Sequence, residues 1–264
     1  MSVDLRFRFE TGAVTHQGCI RDYNEDRYLA AGENGVWLVA DGMGGHYGGD
    51  YAAESVVDNV RTVQRVSSAH ELQSRTIDRI QLANRLIQDR SISMDGVTIG
   101  ATVAALMVYD AHYACVWCGD SRVYQLRDGR LTQLTRDHTE VQELLDRGVI
   151  SPEQAENWPR KNVITRAVGV SPNAYLDSVY GSLKDRDTFL LCSDGLTGHV
   201  ADHEMQRLMT GASPQLACDR MLQLTLDRGA TDNVTIMVVR CTQKTVVGGN
   251  GSGAPRGTWP ARGV

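Results

Sequence analysis

Apolar residues in this chain gather into short runs, and several of those runs stop at an aspartate beside a small residue. Val36-Trp37-Leu38-Val39-Ala40 leads into Asp41-Gly42. Ala114-Cys115-Val116-Trp117-Cys118 leads into Gly119-Asp120-Ser121, and Phe189-Leu190-Leu191-Cys192 into Ser193-Asp194-Gly195. Asp232 instead opens the run 234–239. Short apolar runs bounded by turn formers read as buried strands. From 100 to 134 they form a meander, with strands over 101–109, 112–118, 122–127 and 130–134 and a turn at Asp128-Gly129. Asn34-Gly35 predicts a second hairpin. Strands are also expected around 13–18, 175–180, 188–192 and 234–241.

Helical periodicity marks 50–66 and 70–90; in the second, Leu72, Thr76, Ile80, Ala83 and Ile87 keep helical spacing. A further helix is expected after Ser213-Pro214, carrying Leu216, Met221 and Leu224. Residues 135–170 are more polar. They predict a helix over 138–146 and a short one with Ser151 as N-cap, Pro152 at its first position and Gln154 closing a capping box. Two helices set between strands suggest a mobile subdomain, a flap. The Gly-rich stretch 247–264 contains Pro255, Pro260, Arg256 and Arg262 but no acid, and reads as disordered. The expected organisation is one domain over 1–241 and a tail over 242–264.

Composition narrows the function classes. A hydrophobic fraction of 42% and a charged fraction of 22% over 264 residues are those of a soluble globular domain. The net charge of -5 leaves no basic excess for nucleic acid. The N-terminal residues show no basic-then-apolar signal pattern. The longest apolar stretch, near 101–109, falls short of the roughly 20 residues that span a bilayer. A cytoplasmic location is the default. The six cysteines form no disulfide framework. Cys115 and Cys118 have redox or zinc spacing, but they lie within a strand, where residues three apart point to opposite faces; they read as core.

The strand-end aspartates change the picture most. A carboxylate at the tip of a buried strand is costly unless something offsets its desolvation. Converging carboxylates raise one another's pKa, and bound cations are the usual remedy. Oxygen donors of this kind suit Mg²⁺ or Mn²⁺, whereas no His and Cys stand at zinc spacing. Taken singly, each Asp beside a small residue is also an ordinary turn former or cap.

Arg21-Asp22-Tyr23-Asn24-Glu25-Asp26, Asp41-Gly42-Met43-Gly44-Gly45-His46, Gly100-Ala101-Thr102, Gly119-Asp120-Ser121-Arg122, Ser193-Asp194-Gly195 and Asp232-Asn233-Val234-Thr235 occur in that order. The series resembles the motifs of the metal-dependent PP2C-type (PPM) serine/threonine protein phosphatases of bacteria. The resemblance spans roughly 10–241. It implies an α+β, four-layer sandwich in which two packed antiparallel β-sheets are flanked by α-helices. It implies two core Mn²⁺ or Mg²⁺ ions, bridged by Asp41, with the Gly42 carbonyl on one and Asp194 and Asp232 on the other. Glu25 would act through a water, Asp120 with Asp194 would hold a possible third ion, and Arg21 would bind the substrate phosphate. Asp26 would stand beside the attacking water. Residues 135–170 would be the family's flap. The implied activity is hydrolysis of phosphoserine and phosphothreonine by a metal-activated water, without a phosphoenzyme. The implied partners are phosphorylated proteins and a cognate serine/threonine kinase, with no nucleic acid or membrane, for a monomeric enzyme.

The proton donor to the leaving oxygen is open. Many eukaryotic members have histidine directly after the Asp-Gly pair; here Met43 stands there, and His46 is the nearest histidine. His46 serves as the acid, or it supports the glycine loop or opens the following helix and a metal-bound water is the acid. His138 reads as a cap or flap residue, Arg166 as a candidate substrate contact, and His199 and His203 as surface residues at a helix start. Trp158 reads as flap packing, and Trp259 as a candidate partner contact. No cysteine has an arginine six positions later, and no Walker loop is present. Asp185-Arg186-Asp187-Thr188-Phe189 departs from an aspartate-nucleophile motif at Phe189. Two other readings stand beside the phosphatase: a phosphatase-like binding module without turnover, and a phosphoesterase of small phosphates.

Overall fold

The computed structural model describes residues 7–44, 48–160 and 163–244. In chain order the elements are β1 (Phe7–His16), β2 (Arg27–Ala31), β3 (Val36–Ala40), β4 (Gly42–Met43), α1 (Gly49–Arg61) and α2 (Ala69–Ser93). Then come β5 (Gly100–Ala101), β6 (Val103–Tyr109), β7 (His112–Cys118), β8 (Arg122–Arg127), β9 (Arg130–Gln133), α3 (Glu140–Asp146) and α4 (Pro152–Glu156). The last are β10 (Asp177–Ser182), β11 (Thr188–Cys192), α5 (Asp194–Thr197), α6 (Asp202–Met209), α7 (Pro214–Asp227) and β12 (Val234–Gln243).

The strands form two five-stranded antiparallel sheets, in the orders β1-β12-β11-β8-β9 and β10-β7-β6-β3-β2, plus a small β4-β5 ribbon. Their facing sides share one core, in which Trp37, Leu106 and Cys115 meet Phe189, Leu191 and Met237. The outer face of the second sheet packs against α1 and α2 through Leu38, Val116, Val56 and Ile80. The outer face of the first packs against α5, α6 and α7 through Leu190, Leu196, Met205 and Met221. Burial on both faces explains why β3, β6 and β11 read as unbroken apolar runs. The result is the expected four-layer sandwich. Cys115 and Cys118 indeed enter different layers, one between the sheets and one under the helices.

Local chemistry sets several boundaries. Asp128 and Gly129 both take positive φ, closing β8 to β9 as a tight hairpin. The capping box of Ser151 and Gln154 starts α4, and Ser213 caps α7 with Pro214 following. α1 stops at Arg61, short of the expected 66, because Ser67 and Ser68 are drawn to Glu71 to cap α2. α3 starts at Glu140 rather than 138, because His138 is spent on Gly119 and Thr139 is the cap. β12 runs on to Gln243, so the expected tail begins inside a strand; residues 245–264, with Trp259, lie outside the described residues. No described helix is long and apolar enough to cross a membrane.

Candidate functional site

Strand register brings the acidic tips to one end of the sandwich. In the first sheet, His16 lies opposite Val234, and Cys192 lies opposite both Ile236 and Arg122. The loops leaving those ends carry Arg21, Glu25, Asp26, Asp120, Asp194 and Asp232. In the second sheet, Ala40 lies opposite Arg27, and Val103 opposite Cys118. That end carries Asp41 and approaches Asp120 from the other side. A cleft of about 270 Å³ is lined by Arg21, Glu25, Asp41, Gly42, Asp120, Asp194, Asp232 and Asn233, among others.

Hydrogen bonds join the tips to one another. Asp41 and Thr102 exchange bonds, Thr102 N to Asp41 O at 2.8 Å and Asp41 N to Thr102 Oγ1 at 3.1 Å. Thr102 Oγ1 also meets Ser121 Oγ at 2.7 Å, beside Asp120. Ser193 Oγ donates to Asp26 Oδ2 at 2.7 Å and accepts from Thr235 N at 2.9 Å. Asn233 Oδ1 accepts from Glu25 N at 2.8 Å. Gly42 has no alternative at its position, since a Cβ there would lie 2.0 Å from Gly49 O at the start of α1.

The electrostatics are those of carboxylates held against their preference. Burial above all, then the neighbouring Asp26, Asp194, Asp120 and Asp232, pushes the Asp41 carboxyl well above the usual range. Burial, then Asp194, pushes Asp120 up to about 8. Burial, then Asp232, raises Asp194, although a side-chain hydrogen bond with Asp41 opposes the rise. Burial also raises Glu25, followed by Asp50, with Arg21 opposing. Asp26 is pushed up to about 7 by burial, with Ser193 and Thr235 opposing, and its Oδ1 is buried with no hydrogen-bond partner among the described residues. Arg21 Nη2 donates to Asp232 Oδ2 at 2.8 Å, and that bond raises the guanidinium further.

The donor set fits hard divalent cations. It is all oxygen, Asp26 and Asp120 are buried and the other carboxylates half-buried, and its raised proton affinities and the orphaned Asp26 Oδ1 mark a shortage of positive charge. As the side chains stand, no three His, Cys, Asp or Glu groups among the described residues close round a single point. Asp232 is held by Arg21, and Asp41, Asp120 and Asp194 line the same cleft without yet enclosing one centre.

Each described site residue expected from the sequence reaches this end of the molecule; His46 lies outside the described residues. Four functional positions were not assigned from sequence. Asn233, Ser193 and Thr102 hold the tips in place. His199 is not merely a surface residue: its Nε2 accepts from Thr231 N at 3.1 Å, next to Asp232. The segment 135–170 is tied down at its feet. Arg122 grips Asp137 with Nε at 2.9 Å and Nη2 at 2.6 Å, and Thr165 N donates to His138 O at 2.8 Å. Arg166 is turned to Asp177 at 3.4 Å. Between α3, α4 and the acidic tips lies a second cleft of about 530 Å³, lined by Val141, Leu145 and Pro152 and by Asp120, Asp194 and His199.

A family model described as protein phosphatase 2C matches residues 21–233. The serine/threonine phosphatase stp of Listeria monocytogenes is 36% identical over 241 residues, covering 87% of this chain and 96% of that protein. Among solved structures, PppA of Pseudomonas aeruginosa superposes with a TM-score of 0.82 at 37% identity, over 88% of this chain and 97% of that one. The catalytic domain of a serine/threonine protein phosphatase PstP, solved with two manganese ions, superposes with a TM-score of 0.81 at 29% identity, over 90% of this chain and 100% of that one.

Proposed function

The chain belongs to the protein phosphatase 2C family, and on that footing we propose that it hydrolyses phosphoserine and phosphothreonine in proteins, opposing a cytoplasmic serine/threonine kinase. The observation that carries the reading is the convergence of Arg21, Asp41, Asp120, Asp194 and Asp232 on one cleft. Residues 7–243 would act as one phosphatase unit, monomeric, with 135–170 as its flap.

Asp41 would bridge two cations, Mn²⁺ or Mg²⁺, with the Gly42 carbonyl beside it and Asp194 and Asp232 opposite. Glu25 would reach them through water, and Asp120 with Asp194 would hold a third. Bound there, the cations supply the positive charge that this cluster lacks and acidify water for attack on phosphorus. The remaining work falls to the chain's own groups. Arg21 exchanges Asp232 for the substrate phosphate, to which its fork of donors is matched. That exchange also frees the Asp232 carboxylate. Asp26 Oδ1, with no other partner, accepts a proton from the attacking water. Ser193 and Asn233 keep Asp26 and Glu25 from turning away. His46 is a candidate donor to the leaving oxygen.

A phosphothreonine peptide assay with purified protein tests the reading. Phosphate release is expected with Mn²⁺, with loss on chelation and in Asp194→Ala. Turnover indifferent to chelator, or undiminished in the variant, would overturn it.

A further inference from the structure

The loop between β1 and β2 carries two large apolar side chains into solvent on either side of Arg21. Ile20 is 69% exposed and Tyr23 is 61% exposed. Single exposed apolar residues are ordinary on a protein surface. These two differ in where they stand and in how firmly their backbone is held.

The loop is an arch over 19–23, anchored at both feet. At the first foot, Gly18 is buried with φ of 80°, and a Cβ there would lie 2.2 Å from Asp232 O. Gly18 N donates to His16 Nδ1 at 2.9 Å, and Cys19 N to Ala230 O at 2.8 Å. Asn233 Nδ2 bridges the two feet, donating to Gln17 O at 2.9 Å and to Tyr23 O at 2.8 Å. At the far foot, Glu25 N is held by the same asparagine. Midway, Arg21 reaches Asp232. The arch therefore has little freedom to fold its apolar side chains inward, and it is fixed to the loop that bears Asp232.

We propose that this arch is a peptide-recognition element, in which Ile20 and Tyr23 seat an apolar residue flanking the phosphorylated serine or threonine. The inference rests on the phosphatase reading, which puts the phosphate on Arg21. An extended peptide advances about 3.3 Å per residue with side chains alternating between faces. A neighbour one to three positions from the phosphoresidue thus passes over the residues next to Arg21. Charge sharpens the choice. Asp22 is exposed on the arch and is not one of the carboxylates proposed to hold cations, so an acidic neighbour is repelled where an apolar one is accepted. The occupant is a segment of the phosphoprotein substrate with apolar, non-acidic flanks.

The test compares phosphothreonine peptides that differ only in having Leu, Ala or Asp beside the phosphoresidue. Each is assayed with Mn²⁺ on the full chain and on Ile20→Ser/Tyr23→Ser, whose replaced side chains are exposed. In the native protein kcat/KM is expected to favour Leu over Ala by about tenfold, the ratio that 1.4 kcal/mol of transition-state binding gives, with Asp the poorest. In the double variant the Leu-to-Ala ratio falls to about one. A native ratio near one, or a ratio that survives in the variant, overturns the proposal. If p-nitrophenyl phosphate is hydrolysed but none of the peptides is, the phosphoprotein reading has failed first and takes the arch with it.

Discussion

Asp26 sits 1% exposed, with Oδ2 on Ser193 and Oδ1 without a partner among the described residues, and burial pushes its carboxyl up to about 7. A buried carboxylate oxygen left open beside the acidic tips is placed to take a proton from the attacking water. Asp26→Asn keeps the shape and removes the base. Its kcat is expected to fall by about 10²–10⁴-fold, while the Mn²⁺ concentration giving half-maximal rate changes little; a large rise in that concentration would make Asp26 a ligand instead. Ser193→Ala takes the donor from Asp26 and the acceptor from the buried Thr235 N–H at once. Unpaired buried polar groups cost about 1–3 kcal/mol each, so urea denaturation should show a loss of at least that size. The acidic residues were legible in the sequence because each ends an apolar run beside a small residue. Ser193 and Asn233 were not, because their partners stand 167 and 208 positions away and only the folded register brings them together.

The segment 135–170 joins the sandwich through His138, which is 6% exposed. Its Nδ1 accepts from Gly119 N at 3.1 Å, which places the proton of the neutral ring on Nε2, facing Asp177 at 3.1 Å. Trp117 stacks on the ring at 6.1 Å between centroids. Burial holds the imidazole pKa below its ordinary value; Arg166 acts in the same direction, while Asp177 and Asp137 oppose. Because the folded pKa is the lower one, the stability contributed by His138 is full above the unfolded value of about 6.5. It is lost as pH falls through the folded pKa. Protonation would also set an N–H of the ring against Gly119 N–H. The urea midpoint is therefore expected to drop between pH 7.5 and pH 5.5 by more in the native protein than in His138→Gln. Equal drops would show that other groups set the acid limit. Sequence chemistry gave the α4 capping box in full, because its bonds span three residues. It placed the start of α3 too early, because the residue that ends the strand-like stretch is held by Gly119, 19 positions back.

At the scale of the whole molecule, the alternation of strands and helices was readable, but the layering was not. Apolar runs buried on both faces look alike whichever sheet they join, and only pairing separates β8 from its sequence neighbour β7. That separation puts Asp41 at the tip of one sheet and Asp194 and Asp232 at the tip of the other. A cation held by all three would tie the sheets together at the end where buried carboxylates now repel one another. Cation binding should then stabilise the entire sandwich. Binding to the folded state alone is worth about 2.7 kcal/mol at a hundredfold excess over Kd, or about 5–10 °C in Tm for a domain of this size. Removing one carboxylate should have opposite effects with and without metal. Asp194→Asn is expected to melt at or above the native temperature in chelator, because one buried charge is gone, and to lose most of the rise with Mn²⁺. Thermal melts of both proteins across a Mn²⁺ series decide the matter. A native Tm that ignores Mn²⁺, or a variant that rises as far, would mean that the two sheets are not joined through these aspartates.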